Sequence, residues 1–102
     1  EVNCIREACK VLNTFELSQC VIYSSCEPCP MCLSAIYWAR IQHIYYAATR
    51  KDAVLAGFDD QHIYDEIPLK ENERSLPIEK VKHSLAEMPF EKWKTKEDKT
   101  RY

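Results

Sequence analysis

The run "CVIYSSCEPCPMCLSAIYWARIQHIYYAA", residues 20–48, constrains the fold more than any other part of the chain. "CVIYSS" (20–25) is short, β-branched and aromatic, which is the composition of a strand. The prolines of "EPCP" end it, because proline fixes its own φ and pushes the residue before it away from helical angles. Pro30 is tolerated in the first turn of a helix, so a helix is expected from Pro30 to about Ala39. "IQHIYYAA" (41–48) then reads as a second buried strand. A strand, a helix and a strand within so few residues form a βαβ unit, which implies parallel pairing and a right-handed crossover. The expected fold class is α/β, a mixed β-sheet sandwiched between helices.

Around this unit the pattern is helical. In "VNCIREACKVL" the residues Val2, Ile5, Ala8, Cys9 and Leu12 recur at a 3.6-residue period, which predicts an amphipathic helix over 2–12. Glu1 then stands at its N-terminus, where unpaired amides collect partial positive charge. "KDAVLAGFDD" predicts a short helix ending near Gly57. "IEKVKHSL" (78–85) is read as a half-exposed strand, and "PFEKWKTKEDKTRY" as a polar C-terminal helix carrying Phe90 and Trp93. No repeat, linker or low-complexity segment divides the chain, so one domain over 1–102 is expected.

Composition removes several functions. There is one glycine in 102 residues, so the glycine-rich phosphate loops of Walker and Rossmann type are excluded. A net charge of −2 gives no global basic field, and nucleic acid is an unlikely partner. The tail "EKWKTKEDKTRY" has basic side chains with Trp93 and Tyr102 between them, but such a run is more often the wet face of a helix than a stacking platform. No segment has the ~18 apolar residues of a membrane span. Six cysteines without a disulfide-like spacing are read as reduced thiols, which implies a reducing, cytoplasmic setting.

Cys29 and Cys32 begin the expected helix. Residues i and i+3 there direct both sulfurs to one point, beside unpaired amides that favour thiolates. Zinc takes such sulfurs and wants four ligands. A thioredoxin-like redox pair, part of an iron–sulfur run, or plain packing are the competing readings. Cys26 is assigned to packing. His43, His62 and His83 have no local partner that makes them ligands.

"PCPMC" together with Glu1 on a helix start resembles the second half and the glutamate of the zinc-deaminase signature, H-x-E followed by P-C-x-x-C. The chain is therefore similar to the cytidine deaminase-like superfamily. Its "SCEPCPMCLSAIYWARI" and "YYAATRKDAVLAGFDDQHIYDEI" resemble the bacterial guanine deaminases within it. That resemblance implies a three-layer αβα fold and zinc-dependent hydrolysis of guanine to xanthine and ammonia. It implies Cys29 and Cys32 as metal ligands, with Glu1 moving protons. Asp60 would read the guanine and shuttle a proton, Tyr102 would close over the base, and Trp38 would stack in the pocket. Phe58 is assigned to packing.

The third protein ligand is implied to be a histidine two residues before Glu1. With it would come a helix and antiparallel strands, so the chain is expected to be N-terminally truncated. The resemblance also implies a homodimer in which the segment 84–102 is exchanged. Deamination of adenosine in tRNA or of a nucleoside is the alternative activity, and a CxxC redox or structural zinc module the alternative of another class.

Overall fold

The computed structural model describes residues 1–101. Helix α1 (Val2–Leu12) has the predicted bounds. It stops in a left-handed turn at Asn13 (φ 49°), where the Thr14 amide bonds back to Cys9 and the Asn13 amide to Lys10. Asparagine tolerates that conformation better than most side chains, so the stop is local in origin. Strand β1 (Val21–Cys26) and strand β2 (His43–Ala48) flank helix α2 (Pro30–Trp38). The strands pair in parallel with Ile22 opposite Ile44 and Cys26 opposite Ala48, as the short crossover requires.

The core lies between the sheet and the helix pair α1–α2. Ile5, Leu17, Ile22, Ile36 and Ala39 are buried there, with Ala8, Cys9, Cys20, Ala35, Ile41 and Ile44 packed around them. One face of the βαβ unit is thus filled by residues that the helical and strand periods had placed together. The other face carries Val21, Tyr23 and Tyr45, all exposed, with the two tyrosine rings stacked at 5.0 Å. Among the described residues the sheet consists of β1 and β2 and is parallel throughout.

Beyond β2 come helix α3 (Arg50–Leu55), helix α4 (Gln61–Glu66), a 3₁₀ turn (Glu71–Glu73) and helix α5 (Met88–Thr95). α3 begins with a reciprocal cap in which the Asp52 amide donates to Thr49 Oγ1 and the Thr49 amide to Asp52 Oδ2. The strand expected at 78–85 does not form; residues 77–83 have no regular structure and 84–87 make a turn. A strand needs a partner edge for its amides, and these residues pair with neither β1 nor β2. The C-terminal helix is shorter than expected, ending at Thr95. No helix among the described residues is long and apolar enough to cross a membrane.

Candidate metal and catalytic site

Both parallel strands end at the same side of the sheet, and a cleft opens there. This is where open α/β sheets bind ligands, because the loops leaving adjacent strands diverge around a crevice. The cleft holds about 570 Å³ and is lined by Glu1, Cys26, Glu27 and Cys29 from one half of the chain. Ala48, Asp52, Ala53, Ala56, Phe58, Asp59, Asp60 and Ile63 line it from the other. Its size suits a small flat molecule.

Cys29 caps α2 with extended backbone (φ −64°, ψ 166°), and Pro30 occupies the first helical position. Proline has no amide to lose there. The Met31 and Cys32 amides have no carbonyl inside the helix to bond, so positive partial charge faces the cysteines. Cys32 is buried, and Cys29 is half-buried beside it. Burial, followed by the Glu1 carboxylate and the Cys29 thiol, pushes the Cys32 thiol up to about 11. The Cys32 thiol in this setting stays protonated at neutral pH until a cation arrives; a divalent metal reverses that balance.

Glu1 reaches the same place from the start of α1. Its carboxylate accepts from the Ser24 hydroxyl on β1 and does not cap its own helix. The Ser24 bond, with a smaller contribution from the Cys32 thiol, holds the carboxyl below its ordinary range against the opposing effect of burial. The start of α1 and the βαβ unit together bring a carboxylate and the Cys29 thiol to the cleft, with the Cys32 thiol beside both.

Asp60 faces the cleft from the N-terminus of α4. Its Oδ1 is buried and has no hydrogen-bond partner. Buried oxygens are almost always paired, so this one is set to accept from a donor that enters the cleft. Trp38 is not brought to the site. It stands at the far end of α2 and lines shallow hollows with Phe15. Six residues of helix beyond Cys32 amount to about 9 Å of rise. The proposed stacking role for Trp38 has no support in this placement. Tyr102 lies outside the described residues.

Two residues assigned to packing prove to line the cleft. The Cys26 thiol is directed at the Thr49 carbonyl at 3.6 Å, and Phe58 is 69% exposed on the cleft wall. Glu27, Asp52 and Asp59 were not singled out by sequence; only the position of Glu27 inside "CEPCP" signalled it. The histidines stay apart from the cysteines. His43 lies against Tyr45 on the open sheet face, His62 is exposed on α4, and the His83 ring accepts from the Leu85 amide. Among the described residues no third His, Cys, Asp or Glu joins the pair as a metal ligand. Cys29 and Cys32 fit zinc in donor type and supply half of its usual four ligands.

The model of the cytidine and deoxycytidylate deaminase zinc-binding region matches residues 1–48, the segment that contains α1, β1, α2 and β2. The chain is 49% identical over its whole length to guanine deaminase of Bacillus subtilis and spans 65% of that protein's length. The X-ray structure of guanine deaminase from Bacillus subtilis superposes with a TM-score of 0.92 over 96% of this chain and 62% of that one. A tRNA-specific adenosine deaminase of Aquifex aeolicus is 34% identical over 85% of this chain and 58% of its own. The fold is thus the cytidine deaminase-like αβα fold.

Proposed function

We propose that this chain, whose residues 1–48 match the model of the cytidine and deoxycytidylate deaminase zinc-binding region, performs the hydrolytic deamination of guanine to xanthine and ammonia. The observation that carries the reading is the convergence of Glu1, the Cys29–Cys32 helix start and the unpartnered Asp60 oxygen on one cleft.

Cys29 and Cys32 would hold the zinc, and the resemblance implies a histidine two residues ahead of Glu1 as the third donor. When bound, zinc supplies a Lewis acid that acidifies water to near neutrality. Glu1 is ionised at neutral pH, because Ser24 stabilises its charged form. It accepts the proton of the attacking water and passes it to the ring nitrogen beside the reacting carbon; it then takes the second proton from the added hydroxyl and gives it to the amine, so that ammonia leaves as the carbonyl forms. The free amides at the start of α2 face the negative charge that develops on the attacked centre. Asp60 Oδ1 accepts an N–H of the purine. Guanine presents adjacent N–H donors on its pairing edge, whereas adenine presents a bare ring nitrogen there, so a carboxylate favours guanine. The apolar wall of Ala53, Ala56, Phe58 and Ile63 shelters the flat ring.

The same reading makes Tyr102 a closing group over the base and makes the protein a homodimer exchanging residues 84–102. Support for the exchange lies in α5, whose Phe90 and Trp93 are exposed. A cytoplasmic enzyme without a nucleic-acid partner fits the charge and the cleft. Ammonia release by the zinc-loaded whole protein is the test, with guanine, adenosine and a tRNA anticodon stem-loop offered separately. Turnover of guanine is expected. Turnover of the stem-loop with none of guanine overturns the reading, and metal-free protein with a titratable dithiol replaces it with a redox module.

A further inference from the structure

Tyr64, the tyrosine of "AGFDDQHIY", has no part in the reaction above, yet it is the side chain that joins α4 to the cysteine loop. Its hydroxyl donates to the Pro28 carbonyl at 3.1 Å, across 36 residues of chain. The guanidinium of Arg50 lies 4.6 Å from the centre of its ring. The Arg50 amide donates to the Glu27 carboxylate at 3.0 Å, and the Glu27 amide donates to Ala48 at 2.8 Å. Residues 27 and 28 are therefore held by the end of β2, the start of α3 and the middle of α4.

The Pro28 carbonyl belongs to the peptide unit it shares with the Cys29 nitrogen. Fixing the plane of that unit fixes the backbone from which the Cys29 sulfur projects. Tyr64 also sits one helical turn after Asp60, so the segment that carries Asp60 is the one bonded to the cysteine loop. Desolvation, then the Glu27 charge, pushes its phenol above the ordinary range, which keeps the hydroxyl a donor.

We propose that Tyr64 is a positioning residue for the metal-holding sulfur, setting Cys29 through the Pro28 carbonyl and keeping it in register with Asp60. The proposal rests on the reading of Cys29 and Cys32 as zinc ligands. Partners one step outside a metal's ligands set ligand direction, and their loss costs roughly 10–100-fold in metal affinity or activity.

Tyr64→Phe in the whole protein removes the hydroxyl and leaves the ring under Arg50. Zinc affinity is measured by competition with a chromophoric chelator, and the cobalt-substituted protein is examined for thiolate-to-metal charge-transfer and ligand-field bands. Cys29→Ser and the wild type test the underlying reading: if the wild type lacks the thiolate band, that reading fails, whatever Tyr64 does. With the band present, Tyr64→Phe is expected to weaken zinc binding roughly tenfold and to shift the ligand-field bands, with guanine KM nearly unchanged and kcat lowered. Tyr45→Phe on the open sheet face is expected to match the wild type. Zinc affinity and cobalt bands of Tyr64→Phe within twofold of wild type overturn the proposal. If that variant does not fold, Arg50→Met, which removes the cation over the ring, is read by the same two measurements: a loss in the same direction supports the proposal, and wild-type values overturn it.

Discussion

A buried carboxylate oxygen with no donor costs about 1–3 kcal/mol, and Asp60 retains one on the wall of the cleft. The tolerable reason is a ligand that satisfies it. Asp60→Asn is expected to lower kcat/KM for guanine roughly tenfold to a hundredfold, since the amide turns a donor toward a donor. Its melting temperature should be equal to or above that of the parent, because an orphaned charge is gone. Steady-state kinetics and a thermal melt check both halves. Glu1 differs, having a partner in Ser24. On the proposal that Glu1 moves protons and is not a ligand, Glu1→Gln is expected to reduce kcat by about 10²–10⁴-fold with zinc content unchanged by elemental analysis. Loss of metal with loss of activity would contradict that division of roles. At this scale Glu1, Cys29 and Asp60, each within a spaced motif, line the cleft, with Cys32 beside Glu1 and Cys29. Trp38 stands elsewhere; an aromatic residue six positions along a helix carries no mark of which end faces the cleft.

Elements begin and end where local chemistry allows. Arg40 has φ 61° and stops α2, with its amide bonded to Tyr37 and that of Ile41 to Ile36. A side chain in that region is strained by about 1–2 kcal/mol. Arg40→Gly is expected to stabilise the protein by about 1 kcal/mol, a rise in melting temperature of roughly 5 °C, measured by calorimetry; a fall would show that the Arg40 side chain matters more than its backbone. The cap of α3 gives a pH prediction. The Thr49 hydroxyl and amide hold the Asp52 carboxyl below its ordinary range. A depressed carboxyl contributes stability that is present above its unfolded value and lost as pH falls through the folded one. Amide exchange in α3, corrected for its intrinsic pH dependence, should therefore stay constant from pH 7 to about 4 and quicken below it. Thr49→Ala should make exchange in α3 roughly fivefold faster at neutral pH. The strand expected at 78–85 failed at this scale for a definite reason: alternating composition states a preference, whereas a strand exists only when another edge bonds it.

The described residues form a flat body. Its Cα radius of gyration is 17.8 Å with extents of 47 × 41 × 17 Å, against about 13 Å for a compact domain of 100 residues. Residues 75–98 are exposed throughout, and Tyr23, Tyr45 and Val21 leave one sheet face open. Such apolar surface drives association. Sedimentation velocity over a dilution series should show a dimer or larger species. Replacing Phe90 and Trp93 by serine should shift it toward monomer if α5 carries the exchange. A monomer at all concentrations would remove the exchanged-segment proposal.

The sequence by itself determined the βαβ unit, the helix-start cysteines and the glutamate ahead of α1. All of these follow from short-range periodicity, proline sterics and motif spacing, which are properties of neighbouring residues. The tertiary structure alone decided that Phe58 and Cys26 face the cleft, that Asp60 is left with an unpaired oxygen, that Tyr64 reaches Pro28 and that Trp38 stands apart. Those facts depend on how the segments after β2 fold back against the strand ends, and contacts across 36 residues arise from packing that no local pattern encodes.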